Sequence, residues 1–411
     1  MKNEFRELGL SEKMQQVITD LGYKTPTPVQ EQSIPLILAG RDVGAAAQTG
    51  TGKTAAFTLP IMDKLGHRSK KSKGPLCLIV TPTRELAQQI DRVATTVGKR
   101  TNHKVLTVVG GVGYGPQTDA LQRGIDILVA TPGRLLDLID RKLLRLSEVE
   151  VLVLDEADRM LDMGFWPAVR RITALVTNRK QTLLFSATLS AQVLTTAKPL
   201  LRNPEFVEIS RAGTTADTVN QVIMPVDHAQ KPDLLCEVLK AKGCSRVIVF
   251  TRTKSRADSC AKRLNKLGFA TQAIHADRSQ SQRERALIDF KKGKIDILVA
   301  TDVLARGIDV SDVSHVFNYD VPTNPEDYIH RIGRTGRAGE SGQAITFVGP
   351  DELSSLREIE QLLNMVIPTY DLEGFAYRET RIVPSPSRSA KKKQAPVFSG
   401  RRRGGGRYGR R

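Results

Sequence analysis

Runs rich in Val, Ile and Leu recur along the chain without polar alternation, at 76–80, 125–130, 151–154, 182–185, 247–250 and 295–300. A strand with one wet face alternates apolar and polar residues, so unbroken runs of this length predict strands buried on both faces. Amphipathic stretches of helical length lie between them, among them 84–99 and 283–292. Strand and helix in alternation predict an α/β fold built on doubly wound parallel sheet.

One string occurs twice. Residues 125–131 read IDILVAT, and residues 295–301 read IDILVAT again, an offset of 295 − 125 = 170. Buried strands draw on a small alphabet, but identity that runs through the flanking Asp and Thr predicts a duplicated domain. A length of 411 residues suits two domains and a tail. The first domain is expected over 1–209 and the second over 219–372, joined by a linker of small and polar residues at 210–218. The remainder, 373–411, is expected to be a basic, disordered, RNA-binding tail, because beyond Thr380 Pro, Ser, Lys, Arg and Gly leave little apolar surface to order it.

The distribution of charge adds a partner. Net charge is +18, and from Arg381 to the end the sequence holds eleven Lys or Arg and no acid, which leaves 18 − 11 = +7 for the first 380 residues. A basic tail on a mildly basic body points to a polyanion, nucleic acid ahead of an anionic membrane. Within the tail, 401–411 reads RRRGGGRYGRR, with Tyr408 available for stacking on a base, although a solvated terminus without a task has the same composition. The four cysteines, Cys77, Cys236, Cys244 and Cys260, form no Cys-x-x-Cys pair, so neither a disulfide frame nor a zinc knuckle is expected. No apolar run of spanning length follows the N-terminus, and a cytoplasmic protein with no membrane partner is the expectation.

Candidate chemistry begins at 48–54, QTGTGKT, set between an apolar run and a helix-compatible stretch. Gly50 and Gly52 allow backbone amides to turn toward phosphate oxygens, Lys53 can reach the outer phosphates, and Thr54 can hold Mg²⁺. The general pattern asks for Gly where this chain has Ala47, which fits if its φ is negative. A second element, VLVLDEAD at 151–158, sets Asp155, Glu156 and Asp158 at the carboxyl end of a buried strand, where α/β proteins build sites. Asp155 suits a metal held through water, and Glu156 suits an attacking water. An acidic helix start would explain any one of these carboxylates, but not their pairing with a phosphate loop. In the second half, HRIGRTGR at 330–337 brings Arg331, Arg334 and Arg337, whose planar forks suit phosphate, as a surface RNA patch or as fingers that reach the other domain's phosphate site on closure.

Taken in order, these motifs resemble those of the DEAD-box RNA helicases of superfamily 2. The likeness runs from Phe5 to about Val348, through Gln30 at the end of GYKTPTPVQ, AQTGTGKT, PTRELA from Pro82, Gly110 with Gly111, TPGR from Thr131, DEAD from Asp155, SAT from Ser186, VIVFT from Val247, Gln280 with Arg283, ATDVLARGID from Ala300, and HRIGRTGR. The short basic tail is most similar to the bacterial RhlE-type subgroup. The resemblance implies two RecA-like domains, ATP as fuel and Mg²⁺ beside it. It implies nucleotide contacts from Phe5, Tyr23, Gln30, Ala47, Gln48, Thr49, Gly50, Thr51, Gly52, Lys53, Thr54 and Asp309, with Gln30 reading adenine. Thr54 and Asp155 would serve the metal; Lys53, Glu156, Arg334 and Arg337 would serve catalysis. Ser186 and Thr188, with Asp158 and His330, would couple hydrolysis to domain closure.

RNA would lie on Thr83, Arg84, Gly111, Thr131, Gly133, Arg134 and Thr301, through sugar and phosphate and so without sequence preference. Each of these also has a local reading: Arg84 opens a helix, and Thr131 caps a turn. Ribosomal or RNA-decay assemblies are the implied partners. One departure, Ala276 in HAD at 275–277 where the family often has Gly, bears only on local backbone geometry. The implied activity is local unwinding of short duplexes or remodelling of RNA–protein complexes. An ATP-controlled RNA clamp is the alternative, against which Glu156, Arg334 and Arg337 stand intact; a DNA helicase is the other, against which Gln30 and the DEAD tetrad stand by resemblance.

Overall fold

The computed structural model describes residues 4–47, 50–67, 74–209, 219–241, 244–302, 313–336 and 342–382. Gln48, Thr49, Asp309, Arg337, the expected linker and the chain from 383 onward lie outside the described residues.

Two parallel sheets form. The first joins β1 (Val43–Ala46), β2 (Cys77–Val80), β3 (Val105–Val108), β4 (Ile127–Ala130), β5 (Val151–Leu154), β6 (Gln181–Ser186) and β7 (Glu205–Glu208) in the order β3-β4-β2-β5-β6-β1-β7. The second joins β8 (Val219–Pro225), β9 (Val247–Thr251), β10 (Thr271–Ile274), β11 (Ile297–Thr301), β12 (His315–Asn318) and β13 (Gly342–Val348) in the order β10-β11-β9-β12-β13-β8. Raising each label in β3-β4-β2-β5-β6-β1 by seven reproduces the second order. The register repeats as well: Cys77 lies opposite Ile127 and Val247 opposite Ile297, and 247 − 77 and 297 − 127 are both 170. The twice-occurring heptapeptide therefore marks equivalent strands of a duplicated domain.

The apolar runs follow from burial on both faces. Along β2, Cys77 and Ile79 enter one core cluster while Leu78 and Val80 enter the cluster on the other side of the sheet. The second sheet repeats this, with Val247 and Val249 on one face and Ile248 and Phe250 on the other. Among the described residues, no helix is long and apolar enough to cross a membrane.

The packed chain extends past 372, where the tail was expected to begin. Ile223 bridges Thr369, and Leu372, Phe375 and Tyr377 pack on the second domain's core. Gln230 brackets the segment, donating to the Ala376 carbonyl at 2.8 Å and accepting from the Arg378 amide at 2.8 Å. The aromatic pair supplies the burial that a composition average hid.

Candidate nucleotide site and RNA interface

Parallel strands present their carboxyl ends on one edge of each sheet, and the candidate residues sit just beyond those ends. After β1, buried Ala47 donates its amide to the Ser186 carbonyl at 2.9 Å. Gly50 and Gly52 adopt φ of 90° and 91°, and Gly52 caps the helix Lys53–Lys64. A Cβ on Gly52 would lie 2.5 Å from Gln30 Nε2, so only glycine fits there. Gln30 itself is buried; its Oε1 accepts from the Thr27 amide at 2.9 Å and its Nε2 donates to the Gly52 carbonyl at 3.1 Å, which fastens the loop to the helix Pro28–Leu38. Phe5 is fully packed, with Tyr23 half-buried 6.5 Å away between ring centroids.

The centre of the site is a buried ion pair: Lys53 Nζ donates to Glu156 Oε1 at 2.8 Å, with the side chains 5% and 6% exposed. Glu156 stands between β5 and the helix Ala157–Asp162 at a φ of 55°, a left-handed backbone that costs a non-glycine residue about 1–2 kcal/mol. Strain of this kind persists only where the surroundings fix it, which suits a functional residue. Burial would raise the Glu156 carboxyl, but the charge and hydrogen bond of Lys53 outweigh it, and His330 and Arg159 add to the pull, so Glu156 stays below the usual carboxylate range. Next to it, burial drives the Asp155 carboxyl up against the pull of Lys53. Asp155 Oδ1 is buried with no hydrogen-bond partner, an oxygen suited to a hard cation.

Asp158 connects this strand end to the next one. Its Oδ2 accepts from the amides of Ala187 and Thr188 at 3.1 and 3.2 Å, its Oδ1 accepts from the Arg159 amide at 2.9 Å, and its own amide donates to Ser186 Oγ at 3.2 Å. Movement at either segment is felt by the other.

The second domain faces the same site. His330, on the helix Pro325–Ile332, lies near enough for its imidazolium form to add to the pull on Glu156, and buried Arg334 donates Nε to the His330 carbonyl at 3.1 Å. Arg331 has a different job from the phosphate contact its spacing suggested. It is buried, forks onto Asp302 at 2.6 and 2.8 Å, and donates to Asn318 Oδ1 and the Asp320 carbonyl. Farther along the cleft, Arg283 pairs with Glu85 and Gln88 donates to Glu284, so the domains meet through ionic and polar side chains.

The RNA candidates divide into three kinds. Thr131 and Thr301 sit at equivalent ends of β4 and β11, and Gly133 is exposed beside Thr131. Thr83 is buried, its hydroxyl accepting from the Leu86 amide at 3.4 Å, and Arg84 follows it with its guanidinium over Gly110 and Gly111. Gly111 has φ of 73°, and a Cβ there would lie 2.1 Å from Arg84 Nη1. Burial and then the like charge of Arg283 lower the Arg84 pKa, which makes an anion welcome beside it. Arg134, however, is turned inward: Nη1 and Nη2 both donate to the Val112 carbonyl at 3.0 Å, its guanidinium lies 4.4 Å from the centroid of the Tyr114 ring, and its side chain is 8% exposed. Arg141 approaches the same ring at 4.5 Å and is exposed. Tyr114 was not singled out from sequence; the signal was an aromatic residue just after the paired glycines.

The chain matches the DEAD/DEAH box helicase family over 27–196 and the helicase conserved C-terminal domain over 230–339. It is 44% identical over 377 residues to the DEAD-box ATP-dependent RNA helicase CshA of Bacillus subtilis, covering 90% of this chain and 76% of that protein. The ATP-dependent RNA helicase CshA of Listeria monocytogenes is also 44% identical, over 91% of this chain and 72% of that protein. These relatives carry a different subgroup name from the RhlE type. Among solved structures, S. cerevisiae Dbp5 bound to RNA and ADP BeF3 superposes with a TM-score of 0.79 at 33% identity, covering 90% of this chain and 95% of that one. Mss116p bound to ssRNA and AMP-PNP superposes with a TM-score of 0.80 at 29% identity, covering 90% and 79%.

Proposed function

The chain belongs to the DEAD/DEAH box helicase family and is an ATP-dependent RNA helicase, and on that premise we propose how its residues divide the work. The buried Lys53–Glu156 pair, with His330 of the second domain acting on it, carries the reading. Before nucleotide arrives, Lys53 neutralises Glu156. When ATP phosphates take the Lys53 ammonium, Glu156 loses its partner in a buried site, its proton affinity rises, and it becomes a base able to orient and deprotonate the attacking water. Gln48, Thr49, Gly50, Thr51 and Gly52 turn amides to the phosphates, Gln30 meets the adenine, Asp309 reaches the ribose, and Arg334 and Arg337 complete the charge on the transferring phosphoryl group. Arginines in that role contribute roughly 10³ to 10⁵ in rate.

Mg²⁺ fits the same edge. Asp155 Oδ1 lacks a partner and Thr54 stands one residue into the helix after the loop; a bound ion would supply positive charge to the phosphate oxygens. Asp158 relays the state of the phosphate site to Ser186 and Thr188, and closure brings Thr301 to the strand that already lies on Thr83, Arg84, Gly111, Thr131 and Gly133. RNA held in a bent path by both domains excludes its complement, so a few base pairs open per closure. Each stacking step broken costs about 1.4 kcal/mol by the DNA value, within reach of clamp binding energy. Residues 1–209 act as the nucleotide domain, 219 to about 380 as the closing domain, since Phe375 and Tyr377 pack on its core, and the basic chain after Arg381 as the tether. A cytoplasmic setting and work on ribosomal or RNA-decay assemblies belong to the same proposal, supported by bacterial relatives.

Strand displacement on a series of duplex lengths tests it. Displacement that falls steeply with length and needs ATP supports local opening; displacement independent of length points to a translocating engine and overturns it.

A further inference from the structure

Between the helices Lys231–Ala241 and Lys254–Lys266 of the second domain lies a cavity of about 630 Å³. Leu235, Cys236, Leu264 and Tyr319 form its buried floor. Arg256, Lys262, Arg263 and Lys266 stand on its rim, and no acidic residue lines it. Arg256 is engaged by Asp320 and Arg263 by Asp233, whereas Lys262 and Lys266 are exposed and make no ion pair among the described residues.

The cavity faces away from the catalytic cleft. Its two helices cover the sheet face bearing Val249 and Val299, while the helix Gln280–Lys291, which meets the first domain, packs through Ala286 and Phe290 on the face bearing Phe250 and Ala300. An occupant here leaves the ATP and RNA positions free.

We propose that this cavity docks an acidic peptide segment of a partner protein, which inserts one apolar side chain between the helices and sets carboxylates on Lys262 and Lys266. The volume lies in the range of built ligand sites, and an apolar floor inside a one-sign polar rim is how peptide grooves combine anchorage with selectivity. The chain's own tail is the wrong occupant, since it holds no acid beyond Arg381. RNA fits less well, because Tyr319 is only 8% exposed and offers no open ring for a base, and phosphates gain nothing from the floor.

The test selects a displayed random-peptide library on the full chain and compares each enriched peptide on the wild type and on Lys262→Glu/Lys266→Glu. Both lysines are exposed, so the double variant keeps its fold, and it keeps the basic tail as an internal control. Expected are peptides that carry carboxylates around one large apolar residue and bind the double variant at least about tenfold more weakly, while RNA-stimulated ATPase is unchanged. A lack of enrichment, peptides without acidic excess, or equal binding to the double variant overturns the proposal. Weakened binding of an RNA oligomer to the double variant also overturns it, and assigns the rim to RNA.

Discussion

Arg283→Met removes one partner of the ion pair that joins the two domains. Arg283 and Glu85 are buried against each other, their side chains 8% and 4% exposed, although they lie 283 − 85 = 198 residues apart and belong to different domains. When the domains part, water reaches both groups, so the substitution costs little there. On closure, Glu85 would be enclosed without its cation, and stripping one partner from a buried pair costs about 3–5 kcal/mol. The lower end applies, because Glu85 Oε2 and Arg283 Nε have no hydrogen-bond partner even in the intact pair. About 3 kcal/mol, felt only in the closed arrangement, reduces the closed population roughly 10²-fold. Fluorescence energy transfer between labels on the two domains, titrated with RNA and a non-hydrolysable ATP analogue, reads this directly. The expected result is a large shift in the RNA concentration needed for closure, with thermal stability of each domain unchanged. Unchanged closure refutes the reasoning, as does a fall in thermal stability that tracks the loss of activity, since the pair would then be holding a domain together.

Other expectations follow from single residues. Gly111→Ala adds a Cβ where Arg84 Nη1 lies 2.1 Å away, at a φ of 73°, and should raise the KM for RNA about tenfold or more with melting temperature little changed, since the loop is at the surface. Tyr114→Ala should release Arg134 from its inward position and alter the KM for RNA severalfold at constant kcat, while Tyr114→Phe, which keeps the ring, should behave as wild type; equal effects of the two would assign the role to the hydroxyl on Asp137. Truncation after Ile382 should weaken RNA binding and flatten its salt dependence by about 0.7 in log–log slope for each phosphate the tail had neutralised, with ATPase at saturating RNA retained.

What was legible in the sequence tracks burial. β2, β4, β5, β6, β9 and β11 lie inside their sheets, so both faces are apolar and the runs stand out. Edge strands gave no such signal: β7 reads EFVE with Phe206 51% exposed, and β3 is half-buried along most of its length. β13 opens with Gly342 and Gln343, which mask its interior position. Within the site, residue type and order were enough to bring Lys53 and Glu156 to one strand edge. The bonds of Asp158 to Ala187 and Thr188 depend on two strand ends becoming neighbours, which no local pattern encodes. Arg331 shows the opposite limit. Its spacing matched a phosphate fork, yet Asp302 and Asn318 converge on it from other segments and make it part of the fold.

The most direct test of the central claim is steady-state ATP hydrolysis with no polymer, with RNA and with DNA of matched length and sequence, run beside Glu156→Gln. Stimulation by RNA alone, reduced by roughly 10² to 10⁴ in the variant while ATP still binds, is the expected result. Equal stimulation by DNA, or a Glu156→Gln protein that turns over as fast as wild type, would contradict it.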